Sequence, residues 1–379
     1  MSSTVPGIYE TVPNMNQRQL ITHIDQSTSL AWEIFKNFSK TNRCLILCHE
    51  THWAQSLANE LRSLDPSKET FVLESLESDF RHHHGPSIAN KIARIRFFAH
   101  FFSLKSDAYF ILPTAALLQK SAPAKFWTER TLKISKTDKL SREEIFERLI
   151  QWGYQPQELV EKPGDCAARG SIVDFYSPLA NFPTRLELYD DTVQEIRQFH
   201  PESQKRLDSL EECALCSFDE FNARFDIKKV KQHLRGLGWT VGDQSSLLQQ
   251  FENSFYFSTR EFWRAASAQE DWSFCRDLPE ANAIIGPQHL EHSLKNHLSL
   301  MEGDFNRARE DGHWTPQLDF FTTNLSEANE YIDRSLKTSS LWLSQTGTVA
   351  ANHAPAVESI SSIKTVSYTH LRAHETVVH

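Results

Sequence analysis

The sequence predicts an α/β fold in which a parallel-sheet domain is interrupted by a small antiparallel α+β insert. Over the first 130 residues, short apolar runs alternate with helical periodicity, which is typical of βαβ units. Between residues 158 and 211, strand and turn signals follow one another closely, which indicates antiparallel strands. A chain of 379 residues is long enough to hold two or three such domains.

The predicted parallel sheet is built from apolar runs that precede amphipathic segments. The predicted strands are Gln19–Ile24, Asn42–Cys48, Thr70–Leu73 and Ala108–Leu112. The predicted helices are Leu30–Phe38, Trp53–Leu64 and Ile88–Leu104. Pro66 supports the end of the second helix, because proline cannot continue a helical hydrogen-bond ladder.

The predicted insert opens with an amphipathic helix over 140–152. Ser141 followed by Glu144 is the spacing of a capping box, and Gly153 is typical of a helix end. The strands expected after it are Leu159–Glu161, Ala168–Tyr176, Arg185–Tyr189 and Thr192–Phe199. Their close spacing predicts a compact antiparallel sheet.

These patterns divide the chain into five parts. The predicted parts are 1–130 and 219–316 for the α/β domain, 131–218 for the insert, 317–365 for a partial further domain and 366–379 for a non-native tail. The last part fits no pattern upstream and resembles a translated adapter sequence, which predicts that the chain is truncated.

Composition excludes several classes of protein. Forty basic and 49 acidic residues give a net charge of −9, which argues against a protein that coats phosphate backbones. Six cysteines do not form a disulfide framework, and the polar start lacks the pattern of a signal peptide. No apolar run approaches the ~18–20 residues of a membrane helix. We therefore expect a cytoplasmic protein without membrane contact.

Motifs for nucleotide hydrolysis or metal binding are incomplete. No glycine is followed by lysine, so the phosphate-binding GxxxxGK[ST] loop is absent. The run 214–220 resembles a Mg²⁺-holding strand, but a strand followed by a helix start explains it better. Cys213 and Cys216 lack a second ligand pair, which favours buried thiols over zinc. The triplet His82–His84 fits a solvated loop as well as an adventitious metal. We predict no catalytic, cofactor or metal site.

The run 185–189 is the most informative segment for function. A period of two places Leu186 and Leu188 on one face of the strand, and Arg185, Glu187 and Tyr189 on the other. Arg169 begins a neighbouring strand, and a hairpin through 177–183 brings it near Arg185. Arginine and tyrosine are typical anchors of protein interfaces. A solvated sheet face with ordinary cross-strand pairs is the alternative.

An ordered series of motifs in this region resembles one bacterial protein family. The motifs are Leu149–Tyr154, Val160–Asp165, Ala168–Tyr176, Pro183–Asp191, Glu195–Phe199 and Pro201–Gln204. Together they resemble the UvrB-homology module of the transcription-repair coupling factor, Mfd. The resemblance is clear over 145–210 and looser in the preceding α/β part.

This resemblance implies a degenerate helicase-like (P-loop-type) domain interrupted by a small domain that binds the repair protein UvrA. The family's UvrA contact uses two arginines and an aromatic residue, which fall on Arg169, Arg185 and Tyr189. The family often has phenylalanine at the last of these positions, and tyrosine keeps the ring. Glu187 and Asp190 are expected to contribute little.

The resemblance also implies a role in transcription-coupled nucleotide excision repair without catalysis by this chain. In the family, ATP, Mg²⁺, RNA polymerase and duplex DNA are used by parts that this sequence lacks. Two alternatives remain at this stage: a UvrB-like, ATP-dependent excinuclease subunit and a damaged-DNA-binding module.

Overall fold

A computed structural model describes most of the chain, with gaps. The described residues are 19–21, 27–75, 80, 86–220, 228, 231, 241–253, 272–313, 318 and 321–344. The predicted histidine triplet, the segment around Trp239 and Trp263, and the predicted tail 366–379 lie outside these residues.

A six-stranded parallel sheet forms the centre of the larger unit. Its strands are β1 (Gln19–Ile21), β2 (Arg43–Cys48), β3 (Glu69–Val72), β4 (Ala108–Pro113), β13 (Ala283–Ile285) and β14 (Leu341–Leu343). They are arranged in the order β1-β14-β13-β2-β4-β3, and every neighbouring pair is parallel. The apolar runs of β2 and β4 are buried, because helices cover both faces of the sheet.

Nine α-helices are described in the chain. They are α1 (Ser27–Phe38), α2 (Thr51–Leu64), α3 (Ile88–Phe98), α4 (Thr114–Leu117), α5 (Ala124–Glu129), α6 (Arg142–Gln151), α7 (Val241–Asn253), α8 (Leu290–Glu310) and α9 (Leu325–Thr338). A π-helical turn, Ala99–Leu104, extends α3, and a 3₁₀ turn, Pro287–His289, precedes α8. No helix among the described residues is both long and apolar enough to cross a membrane.

The two faces of the parallel sheet bury separate apolar cores. Alternate residues of β2 enter opposite cores: Leu45 and Leu47 lie with α3, α8 and α9, whereas Ile46 lies with α1 and α2. Since side chains alternate along a strand, each buried strand joins the two helical layers. This is the three-layer arrangement of an α/β domain.

A second six-stranded sheet, hereafter the small sheet, occupies the region of the predicted insert. Its strands are β6 (Gln155–Pro156), β7 (Asp165–Arg169), β8 (Ile172–Phe175), β9 (Thr184–Tyr189), β10 (Thr192–Phe199) and β11 (Arg206–Leu210). They follow one another in the order β11-β10-β9-β8-β7-β6, and all neighbours are antiparallel except β6 and β7. Helix α6 covers one face through Ile145 and Leu149. Its start has the predicted capping box of Ser141 and Glu144.

A two-stranded antiparallel ladder connects the chain on both sides of the small sheet. It pairs β5 (Thr131–Ser135) with β12 (Glu212–Cys216). The main chain therefore enters and leaves the small sheet side by side. The mixed α/β class with one parallel and additional antiparallel sheets is confirmed. The helicase-like character, the truncation and the domain boundaries stay predictions.

Residues 325–343, which fall within the predicted part 317–365, pack with the parallel sheet. Helix α9 packs through Tyr331 and Ile332 into an apolar core of the parallel sheet. Strand β14 lies between β1 and β13 in that sheet. The apolar triplet of β14 completes the buried sheet, so residues 325–343 belong structurally with the α/β unit. The pairing of β14 with β1 and β13 joins strands that are far apart in sequence, so no local sequence pattern indicates it.

Gly164 and Gly170 both have positive φ, but only Gly164 is enclosed. A Cβ on Gly164 would lie 2.4 Å from a ring carbon of Phe218, whereas one on Gly170 would meet nothing within 4 Å. We therefore expect Gly164→Ala to lower the free energy of unfolding by about 2–5 kcal/mol, from steric overlap plus backbone strain.

Gly170→Ala is the matched control and should cost only about 1–2 kcal/mol, from backbone strain alone. Urea unfolding followed by circular dichroism measures both variants. Equal losses in the two variants would contradict the steric account.

Candidate partner-binding site

The side chains of strand β9 alternate between an inner, covered face of the small sheet and an outer face. Leu186 and Leu188 are buried on the inner face against α6, and Arg185, Glu187 and Tyr189 alternate with them. Tyr189 is 75% exposed, whereas Arg185 and Glu187 are half-buried. The predicted alternation along 185–189 is therefore correct, and the outer face carries the three polar side chains.

Tyr189 stands at the tip of the hairpin between β9 and β10. The two loop residues, Asp190 and Asp191, have φ values of 50° and 53°, as a type I′ turn requires. The tip is also held from outside, because the amide of Leu140 donates a hydrogen bond to the carbonyl of Asp191 at 2.9 Å. The exposed ring of Tyr189 is thus presented on a fixed backbone.

Arg185 is held by two side chains of its own chain. Its Nε and Nη2 donate hydrogen bonds to the two oxygens of Asp174, at 2.6 and 2.7 Å. The guanidinium also lies over the Phe199 ring, 4.8 Å from its centroid. The hydrogen bonds to Asp174 raise the pKa of Arg185 further above its ordinary value. Arg185 is therefore a fixed cation rather than a mobile one.

Arg169 is exposed and forms no ion pair or hydrogen bond with its side chain in the part of the chain that is described. It ends β7, and the single strand predicted for 168–176 is in fact a hairpin that turns at Gly170 and Ser171. Strand β8 consequently lies between β7 and β9. Arg169 is in register with Ile172 and Glu187, so the loop 177–183 does not place it directly beside Arg185.

An ionic network on the outer face was not anticipated from the sequence. Arg197 on β10 pairs with Glu187 and with Glu195, and Arg206 on β11 pairs with the same Glu195. Glu195 and Arg197 are two residues apart, which places both side chains on one face of a strand, and this spacing is the sequence signal for the network. These pairs neutralise the middle of the face, which leaves Arg169 as its unpaired cation among the described residues.

The acidic pair at the end of the 214–220 run is engaged elsewhere. The run begins in β12, which belongs to the two-stranded ladder and not to the parallel sheet. Asp219 lies 3.5 Å from the Lys91 ammonium, and both oxygens of Glu220 accept hydrogen bonds from Arg94. Carboxylates bound in this way do not fit a Mg²⁺ site, which agrees with the preferred interpretation of a strand.

Most of the cysteine thiols are shielded from solvent. All six are free, and five of them are buried. Burial raises the pKa of Cys48, Cys166, Cys213 and Cys275 to about 12. Within the described ranges, no three side chains of histidine, cysteine, aspartate or glutamate are grouped to hold a metal ion.

Comparison with known proteins matches the same region of the chain. The family model described as "UvrB interaction domain" matches residues 132–221, which span α6, the small sheet and the two-stranded ladder. The antiparallel unit is therefore similar to a UvrB interaction domain.

Curated relatives extend the similarity beyond this unit. A transcription-repair-coupling factor of Staphylococcus haemolyticus is 22% identical over 335 residues, 84% of this chain and 27% of the relative. The factor of Haemophilus influenzae is 27% identical over 180 residues, 46% of this chain and 16% of the relative. That of Myxococcus xanthus is 35% identical over 105 residues, 28% of this chain and 9% of the relative.

These matches confirm the resemblance inferred from the motifs, which is to the UvrB-homology module of the transcription-repair coupling factors. The chain spans about a quarter of the length of the Staphylococcus relative. The comparisons do not test Arg169, Arg185 and Tyr189 as a site, so their role stays a prediction.

The raised thiol pKa values predict that the native protein resists thiol reagents. At about pH 8, a thiol with a pKa of about 12 is almost wholly protonated, and burial also blocks access. We expect fewer than about one equivalent of Ellman's reagent to react before unfolding and all six thiols to react in urea.

Cys213 is the half-buried member, so Cys213→Ser is the control that identifies the source of any slow native reaction. Rapid native reaction of several thiols would contradict the burial described above.

Proposed function

We propose that this chain is a non-catalytic module that recruits UvrA in transcription-coupled nucleotide excision repair, in the cytoplasm of a bacterium. The match of residues 132–221 to the UvrB interaction domain is the observation that carries this proposal. The similarity to transcription-repair-coupling factors over 84% of the chain supports the repair pathway.

The outer face of the small sheet is the proposed contact surface. Arg169 offers a guanidinium without a partner among the residues that the structure describes, and Tyr189 offers a large exposed ring on a rigid hairpin tip. Arg185 lies on the same strand and face as Tyr189, four residues before it, and keeps part of its side chain accessible. Guanidinium groups favour carboxylates, so the partner surface is expected to present acidic side chains beside an apolar pocket.

The module is proposed to act by binding alone. Its sequence lacks the lysine-containing phosphate loop, and the acidic pair Asp219 and Glu220 is bound to Lys91 and Arg94. In this proposal, ATP hydrolysis, DNA translocation and contact with RNA polymerase belong to the parts of a coupling factor that this chain does not match. The chain would supply the connection to UvrA.

The proposal predicts measurable binding between the full chain and purified UvrA in isothermal titration calorimetry. Arg169→Ala and Tyr189→Ala should each weaken binding at least about tenfold, because truncation of an interface anchor removes contacts that water cannot replace. Both side chains are exposed, so circular dichroism should report unchanged folding.

Lys125→Ala is the charge-matched control, since it removes an exposed cation from α5, outside the small sheet. It should leave the affinity unchanged. Absence of binding by the unsubstituted chain would refute recruitment, and equal binding by all variants would move the contact to another surface.

The proposed non-catalytic role predicts that the chain does not bind ATP. Titration with a fluorescent ATP analogue and Mg²⁺ should give no saturable signal up to about 1 mM, because no glycine-lysine loop is present to cradle phosphates. Saturable binding would instead support a UvrB-like, nucleotide-dependent subunit. Duplex DNA added in the same assay tests the damaged-DNA alternative through its dependence on salt.

A further inference from the structure

We propose that Asp174 is a positioning residue, which holds Arg185 so that the outer edge of its guanidinium receives a carboxylate of the binding partner. This inference rests on the function proposed above and assigns a role to a residue that does not itself meet the partner. Asp174 is only 4% exposed, on β8 in the middle of the small sheet.

The hydrogen bonds of Arg185 leave one side of its guanidinium open. A guanidinium carries five N–H donors, and Asp174 accepts one from Nε and one from Nη2. The Nη1 group forms no hydrogen bond with any residue that the structure describes. An end-on pair of donors, one on Nη1 and one on Nη2, therefore remains for a second carboxylate.

One further contact and the strand register fix the direction of that open edge. The guanidinium carbon of Arg185 lies over the Phe199 ring, and Phe199 is itself buried with Val160 and Ala167. Asp174 is the cross-strand partner of Arg185 in the register of β8 and β9. A side chain fixed by a ring and a bidentate carboxylate loses little rotamer freedom when a ligand binds.

The neighbouring charges make Asp174 necessary for this arrangement. Arg197 lies directly opposite Arg185 on β10, and like charges in cross-strand pairs repel. Glu187 and Glu195 are both paired with Arg197, so Asp174 is the carboxylate that binds Arg185. Its removal would leave Arg185 facing Arg197 and free to change rotamer.

The expected partner group is a carboxylate within reach of two cations. Arg169 ends β7 on the same face of the sheet, and it has no internal partner in the described chain. A partner carboxylate bound end-on by Arg185 and approached by Arg169 would be held by one fixed and one mobile guanidinium. Phosphate would meet the same donors, so affinity for inorganic phosphate is measured as a separate arm.

A double-mutant cycle in the full chain tests this role. The variants are Asp174→Asn, Arg185→Ala and the double variant, each titrated with purified UvrA by calorimetry. Asp174→Asn should weaken binding about tenfold, because the amide cannot hold both donors. In the Arg185→Ala background, Asp174→Asn should have no further effect, because a positioning residue acts only through the residue it holds.

Two further variants keep the test decisive. Glu195→Gln disturbs a carboxylate on the same face that pairs with Arg197 and Arg206, and it should leave affinity nearly unchanged. Arg185→Lys keeps the positive charge but cannot form the bidentate pair, and it should also weaken binding about tenfold. If Asp174→Asn fails to fold by circular dichroism, Arg185→Lys carries the test.

Each outcome separates this inference from the proposed function. No binding of UvrA by the unsubstituted chain refutes the proposed function itself. Binding that is unaffected in Asp174→Asn or Arg185→Lys, or weakened equally by Asp174→Asn with and without Arg185, overturns the positioning role alone. Millimolar or tighter binding of inorganic phosphate that is lost in Arg185→Ala would mean that Arg185 receives a phosphate group rather than a carboxylate.

Discussion

The buried guanidinium of Arg94 joins the segment that follows the two-stranded ladder to the larger α/β unit. Arg94 is completely buried on α3, and it donates hydrogen bonds to the Glu74 carbonyl, Gln119 and Ser121 of the larger unit. It also binds both oxygens of Glu220, which follows the strand that leaves the small sheet. An unpaired buried charge costs several kcal/mol, so all these groups must meet together. This requirement fixes where the chain that leaves the small sheet meets the larger unit again.

The same rule of charge compensation organises the outer face of the small sheet. Arg185 and Arg197 face each other, and each is neutralised by its own carboxylates, Asp174 for the first and Glu187 with Glu195 for the second. Most charge on this face is therefore satisfied internally and contributes little attraction to a partner. Under the proposed function, specificity would then depend on the few exceptions among the described residues, which are the exposed Arg169, the outer edge of Arg185 and the ring of Tyr189.

Much of the fold could be predicted because the relevant signals are local. The run Cys44–Cys48 is apolar without interruption and is buried on both faces in β2, and Ser141 with Glu144 caps a helix as expected. The alternation in 185–189 correctly divided β9 into an inner and an outer face. The strand predicted over 168–176 was divided in the structure, because Gly170 adopts a positive φ that allows a tight hairpin.

The sequence by itself determined the α/β class, the antiparallel character of the insert, the absence of a phosphate loop and the resemblance to the coupling-factor module. Each of these depends on residues close together in the chain. Only the tertiary structure decided that β8 lies between Arg169 and Arg185, that Asp174 holds Arg185, and that β14 completes the large sheet. These features depend on strand register and on the compensation of buried charge, which join residues far apart in sequence.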